Sequence, residues 1–237
     1  MQADFIITSA LNTRFGVFSA DQRLEQTFET IRSIRSKLPD SRIFLVEMGG
    51  IQPSAEQVAA LASCVDRLLV YSGNRDVRSL YEGTNNWDVV KNVTEISCLN
   101  AALTDLTKLG VFKKPSRVFK ISGRYRLSDD FAAERFVDWL DGIYVRRRYA
   151  SHFSEQLTGG IRFQYMSRLW SWPSSFNEVI EQTLRAGLQY ILALLSQGGY
   201  CDVEHVLFNF LPKALVIELD KIGVEGRIGP NGVYVRD

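Results

Sequence analysis

The chain has 237 residues, 46% apolar and 23% charged, enough to bury a sizeable core, since roughly 70–75% of chain surface leaves water at such lengths. Its 28 Lys and Arg stand against 27 acidic residues, for a net charge of +1. No global field therefore recommends nucleic acid or an anionic membrane as partner, and a small ligand or a neutral polymer fits better.

The first ten residues lack a basic flank and carry only a short apolar run, so they read as a strand and not as a signal peptide. The longest apolar stretch, around Leu188 to Leu195, falls short of the roughly 20 residues that cross a bilayer. Cys64, Cys98 and Cys201 are widely spaced, with no C-x-x-C pair and few His residues nearby. They read as free thiols of a reducing compartment, and the expected location is cytoplasmic.

Phe5 to Ser9 is a short β-rich run, and Ser19 to Leu38 follows at helical spacing through Leu24, Phe28, Ile31, Ile34 and Leu38. Pro39-Asp-Ser breaks that helix. Arg42 to Glu47 is a second strand, turned by Met48-Gly-Gly. Ser54 caps a helix to Cys64, Asp66 to Tyr71 is a third strand ending in Ser72-Gly-Asn74, and a loop runs through Gly83 to Trp87. Val89 to Leu109 is a further helix leading into the strand Arg117 to Ile121. Strands alternating with helices predict an α/β fold with a mostly parallel sheet covered on both faces.

Asp141 to Arg146 and Gly160 to Tyr165 read as strands of alternating character, and predict antiparallel additions in the second half. Ser174 to Gln197 reads as a long helix capped at Ser174 or Ser175 and stopped by Gly198-Gly199. Val203 to Leu211 is a short helix ended by Pro212. No repeat or composition break appears, so the whole chain, 1–237, reads as one domain.

Ligands of open parallel sheets bind beyond the carboxyl ends of the strands. Here those ends carry Thr8-Ser9, Glu47, Ser72-Gly-Asn74 and Ser122-Gly-Arg-Tyr125. Gly123 allows close backbone approach, Arg124 offers a fork for a phosphate or carboxylate, and Tyr125 can stack on a sugar or base. Alternatively Gly123 only turns the chain and Arg124 pairs with Asp129 or Asp130.

The segment Lys120-Ile-Ser-Gly-Arg-Tyr125 resembles one found in bacterial and phage-type glycosyltransferases of the GT-A fold, where others carry Asp-x-Asp. The likeness runs through most of the first 130 residues: the Thr8-Ser9 strand, the Thr27-Phe-Glu-Thr-Ile-Arg-Ser-Ile helix, the Glu47 tip and the helix start Lys91-Asn-Val-Thr-Glu-Ile96. It implies a GT-A-like (Rossmann-like) domain, with residues 1–130 binding a UDP- or GDP-linked sugar and 131–237 facing a glycan or other hydroxyl acceptor. It implies Thr8, Ser9 and Arg14 near the nucleotide, Glu47 at the base or ribose, Ser72 and Asn74 beside it, and Lys91 and Glu95 facing the donor. Glu95 and Lys91 also read as an i,i+4 helix pair.

Many members of that fold hold a Mn²⁺ or Mg²⁺ ion on two carboxylates to neutralise the leaving diphosphate. The Asp-x-Asp is absent here. Asp129 and Asp130 are candidate ligands, although Ser128-Asp-Asp also reads as a helix start. Arg124, with Lys120, is expected to take over part of the neutralisation. Glu204 is a candidate base for the acceptor hydroxyl and His205 a contact to diphosphate or metal, or both form the polar face and cap of a core helix.

Arg146-Arg-Arg148 and Arg162 to Arg168 are basic clusters interleaved with aromatics. Tyr165, Trp170 and Trp172 are candidates to border the acceptor, or are core residues. A sugar- or nucleotide-binding protein without turnover and a nucleic-acid-associated module using the Arg146 and Arg162 clusters are the rival readings.

Overall fold

The run Phe5-Ile6-Ile7 sends successive side chains to opposite faces of a strand, and all three are buried. That demands cover on both sides, and the computed structural model, which describes residues 2–136 and 141–237, supplies it. Strand β1 (Gln2–Ser9) is the sheet's centre. It leads to α1 (Ala20–Lys37), opened by a capping box between Ser19 and Gln22. Then follow β2 (Arg42–Glu47), α2 (Ala55–Ala62) with Ser54 as cap, and β3 (Arg67–Val70). Asn74 caps α3 (Arg75–Gly83) and Asn86 caps the long α4 (Trp87–Lys108), which delivers the chain to β4 (Ser116–Ser122).

The second half contains β5 (Tyr125–Leu127), β6 (Ile143–Arg146), β7 (Tyr149–Ala150), β8 (Phe163–Gln164) and β9 (Leu169–Pro173). It closes with α5 (Asn177–Ser196), α6 (Val203–Phe210), β10 (Val216–Leu219), β11 (Val224–Arg227) and β12 (Tyr234–Arg236). The main sheet has seven strands in the order β10-β6-β9-β4-β1-β2-β3. It is parallel throughout except for β9, which runs against both its neighbours, β4 and β6. A small antiparallel sheet, β12-β11-β5, continues from the end of β4, and β7-β8 form a separate ribbon.

Ile6, Phe44, Val46 and Val118 face one core with α4, α5 and α6, while Phe5, Ile7, Ile43 and Phe119 face a second with α1, Phe131 and Phe136. Among the described residues, no helix is long and apolar enough to cross a membrane.

Several local expectations need correction. Helix α3 occupies part of the stretch between β3 and Trp87. The predicted strand over 160–165 contracts to Phe163–Gln164. Ser128-Asp-Asp opens no α-helix: the Ser128 hydroxyl accepts from Asp130 N–H in a turn, followed by a single 3₁₀ turn at Ala133–Arg135. Helix α5 has no side-chain cap, because the Ser174 hydroxyl instead accepts from the N–H of Ser116.

The aromatic acceptor residues are also reassigned. Trp170 and Trp172 sit two residues apart on β9, facing one core, with ring centroids 4.4 Å apart and exposures of 1% and 0%. Trp172 Nε1 donates to Asn177 Oδ1 at 2.8 Å. Tyr165 is equally buried, and its hydroxyl donates to Glu218 at 3.0 Å. None of the three lines the cleft described next: Trp170 and Trp172 belong to a strand inserted between two others, which leaves them only core to face, and Tyr165 is held against the Phe208 ring.

Candidate functional site

The carboxyl ends of β1, β2 and β4 open on one edge of the sheet, and because β9 runs backwards, its beginning opens there too. Thr8, Met48 to Gly50, Ser122 to Tyr125 except Gly123, and Ser167-Arg168 thus meet around a cleft of about 300 Å³. The first turns of α4, through Lys91 and Glu95, and the start of α6, through Asp202 and Glu204, form its wall.

The floor is held by Glu47, which is wholly buried. Its Oε1 accepts from the N–H of Leu11 at 3.0 Å and of Gly49 at 2.9 Å, joining the loops after β1 and β2. Burial pushes its pKa up to about 7, although those N–H donors pull the other way. Glu47 therefore shapes the cleft from beneath and does not line it, contrary to its expected place at a base or ribose. Ser9 is likewise buried below, 3.5 Å from the Thr27 hydroxyl. Ser72 is buried and Asn74 spends its side chain capping α3, and neither lines the cleft.

Arg14 is also displaced from its expected role. Its guanidinium donates to the carbonyls of Tyr81 and Thr84 at 2.6 and 2.7 Å and lies over the Tyr81 ring. It braces Tyr81, which lines the cleft with Phe15 and Trp87. Phe15 makes an edge contact to Tyr81 at 5.7 Å and a tilted one to Trp87 at 5.8 Å.

Lys120 is spent as well. Its ammonium donates to Glu95 Oε1 at 2.5 Å, Ser122 Oγ at 2.8 Å and Ser167 O at 2.9 Å, using all its protons. Thr8 Oγ1 donates to the same Glu95 oxygen at 3.3 Å. Glu95 on α4 thus hydrogen-bonds Lys120 on β4, while Lys91, one turn along the helix, acts on it through its charge. Gly123 supports this closure: its N–H donates to Thr8 O at 2.8 Å, and a Cβ there would stand 3.3 Å from that oxygen.

Arg124 lines the cleft without a carboxylate partner among the described residues. Asp129 pairs with Lys37 at 3.3 Å and Asp130 with Arg236 at 3.0 Å, so the alternative of a surface pair for Arg124 does not hold. Arg124 packs instead on Gly229, where a Cβ would lie 3.2 Å from Cζ, and its Nε is buried without a hydrogen-bond partner. Arg23, beside it, donates only to the carbonyls of Phe15, Ala10 and Phe18. Burial, and then the charge of Arg124, depress the Arg23 pKa to about 10. Arg23 and Arg124 are thus neighbouring guanidinium groups, and among the described residues neither has a direct carboxylate partner.

Glu204 stands on the α6 wall. Its Oε1 accepts from the Ser167 hydroxyl at 2.5 Å, and its Oε2 is buried with no partner. Burial raises its pKa and the Asp202 charge adds to that, against the opposing pull of Lys91. Burial would lower the Lys91 pKa, but Glu204, Glu95 and Asp202 together outweigh it and hold it above the ordinary value.

No protein-family model matches the chain, and a search of curated proteins finds no match.

His205 is fully buried and committed. Its Nδ1 pairs with Asp202 at 2.5 Å and its Nε2 with Ser151 Oγ at 2.8 Å. The Ser-His-Asp order resembles that of a nucleophilic relay, yet Ser151 Oγ also accepts from Phe153 N–H and lies beside Phe153 O, both at 2.9 Å, and does not line the cleft. The chain of bonds tethers the segment carrying Tyr149 and His152 to α6. His205 is therefore no metal or diphosphate contact. With Asp129 and Asp130 in surface ion pairs, no group of three His, Cys, Asp or Glu is placed to hold an ion among the described residues. The residues present do not fit a divalent cation.

The arginine clusters are neutralised where they stand. Arg146 faces Asp237 at 3.5 Å, Arg147 Asp220 at 2.9 Å, Arg148 Glu218 at 3.5 Å and Arg162 Glu155 at 2.8 Å. That leaves little unpaired charge for a phosphate backbone.

Arg23, Phe15, Tyr81, Trp87 and Ser167 were not singled out from sequence, and Arg168 entered only as one end of a basic cluster. Arg23 carried a signal, for it precedes Thr27 and Ile31 by four and eight residues and so shares their buried stripe. Arg168, which donates to Asp237 at 2.9 Å and lies over Tyr125, carried none.

Proposed function

We propose that the protein is a GT-A-like glycosyltransferase that moves a sugar from a nucleoside diphosphate to a hydroxyl of a glycan or similar acceptor. The observation that carries this reading is the pair Arg23 and Arg124, two cations without direct carboxylate partners among the described residues, on α1 and after β4 beside the cleft where a nucleotide would lie. A diphosphate supplies the missing charge, and a guanidinium is built to take it in paired hydrogen bonds. In this reading Arg124 does the work of the absent metal, with Arg23 in place of the engaged Lys120.

Glu204 is the base. Its unpartnered oxygen takes the acceptor's proton as the acceptor oxygen bonds to the anomeric carbon; the bond from that carbon to the diphosphate breaks, and its electron pair leaves with the nucleoside diphosphate. A raised pKa brings the carboxylate closer to the range in which general bases work at neutral pH. Phe15, Tyr81 and Trp87 offer flat apolar faces to a base or sugar. The cysteines are all free thiols, and we place the reaction in the cytoplasm.

Thermal shift with UDP, GDP and their sugar conjugates, in EDTA, tests the reading. A ligand at a hundred times its Kd should add about 2.7 kcal/mol of stability, and Arg124→Ala should remove the shift. Absence of a shift with every nucleotide overturns the reading. A shift without sugar transfer or donor hydrolysis indicates a binding protein of the same fold.

A further inference from the structure

Arg124 and Tyr125 border two spaces. Besides the cleft, they line a groove of about 430 Å³ between α1 and the β12-β11-β5 sheet, reached by Phe18, Gln26 and Glu29 from the helix and Glu225 and Tyr234 from the sheet.

Among the described residues, three of the six charged side chains along this groove are in ion pairs, and a fourth is hydrogen-bonded to a carbonyl. Arg126 pairs with Glu225 at 2.7 Å, Glu25 with Arg32 at 2.5 Å, and Arg227 donates to Gly232 O at 3.0 Å. The unanswered groups form a pattern. Glu29 has no ion pair or hydrogen bond among the described residues. Gln26 Oε1 is a buried acceptor without a donor, and Arg124 Nε is a buried donor without an acceptor. Tyr234 keeps half its surface in water.

A buried acceptor and a buried donor without partners, beside the exposed Glu29 carboxylate, call for a ligand whose groups both donate and accept. A hydroxyl does both. Glu25, Glu29 and Glu225 balance Arg124, Arg126 and Arg227, so the ligand needs no net charge, and an exposed ring suits the apolar face of a sugar. We propose that this groove binds a neutral polyhydroxylated chain, an oligosaccharide, with one end directed past Arg124 toward the cleft. That the bound chain is the acceptor rests on the transferase reading; that it binds here does not.

The test is calorimetric titration of the full chain, without nucleotide, with cellotetraose, maltotetraose, xylotetraose and chitotetraose. At least one should bind, and Glu29→Ala and Tyr234→Ala should each weaken it at least tenfold. Both positions are exposed, so thermal stability should stay within about a degree, and the nucleotide-induced shift should be unchanged. Binding of no tetrasaccharide by a protein that still answers to nucleotide overturns the groove and leaves the transferase standing. Oligosaccharide binding without any nucleotide response does the reverse. Binding that ignores both substitutions, or a random hexapeptide pool displacing the sugar from the groove, also overturns the proposal.

Discussion

Lys120 Nζ lies 2.5 Å from Glu95 Oε1, and neither side chain is more than 6% exposed. A pair this deep gains little over apolar residues of similar size, but breaking it strands a charge. Lys120→Met should therefore cost about 3–5 kcal/mol in urea unfolding, and the double variant Lys120→Met, Glu95→Leu should recover most of that. Burial alone would raise the Glu95 pKa, but Lys120 and Lys91 hold it below the ordinary value. The stabilisation is thus present above the unfolded carboxylate pKa of about 4.3 and lost as pH falls through the lower folded value, a loss the double variant should not show.

Glu47 should give the opposite slope. Folding raises its pKa from 4.5 to about 7, so the native state binds more protons than the unfolded one between those values, and stability falls as pH rises through the window. At ~1.4 kcal/mol per unit the loss is about 3 kcal/mol by neutral pH. Glu47→Gln cannot ionise and keeps an oxygen for Leu11 and Gly49 N–H. Its stability relative to wild type should improve from pH 5 to 8; parallel curves across that range would contradict the assignment.

Glu204→Gln should lower the transfer rate by about 10²–10⁴-fold, the usual contribution of a positioned base, while the nucleotide thermal shift persists. Full turnover in this variant would remove Glu204 from the reaction.

Trp172→Ala should destabilise by about 3–5 kcal/mol, as expected for deleting a buried ring, and it also orphans Asn177 Oδ1. Measured at a temperature where the variant remains folded, acceptor KM should match wild type. A selective rise in acceptor KM without loss of stability would restore the ring to the binding site.

The first half of the fold was legible because its strands are apolar runs, because α1 and α4 carry apolar residues at helical spacing, and because Ser54 marks the start of α2. Helix α3 was not, since Arg-Asp-Val-Arg-Ser-Leu-Tyr-Glu-Gly holds only a few apolar residues on one turn face. Strand β9 was not assigned, because Leu-Trp-Ser-Trp-Pro follows Arg162 and Arg168, and rings beside charges suggest a surface as readily as the core that Trp170 and Trp172 occupy. In the site, Arg124 and Glu204 were visible as polar groups after a strand and at a helix start. Ser167 and Arg168 depend on the reversed direction of β9, and Lys120's engagement with Glu95 on how α4 packs against β4; neither is written in local pattern.

Gly229, resting on the Arg124 guanidinium, ties residue 229 to loops that end near residue 17, where Val17 N–H donates to Gly229 O at 3.1 Å. A ribosome releasing this chain from its beginning emits the strand tips long before the segment that shelters their arginines. The β1-α1-β2 unit, which carries Arg23, is made well before it, and until β11 and the Gly229 segment dock, Arg23 and Arg124 stay open to any passing polyanion. Shelter of the two arginines is then a late event of synthesis, and a nascent chain stalled before β11 should retain structure while leaving them open.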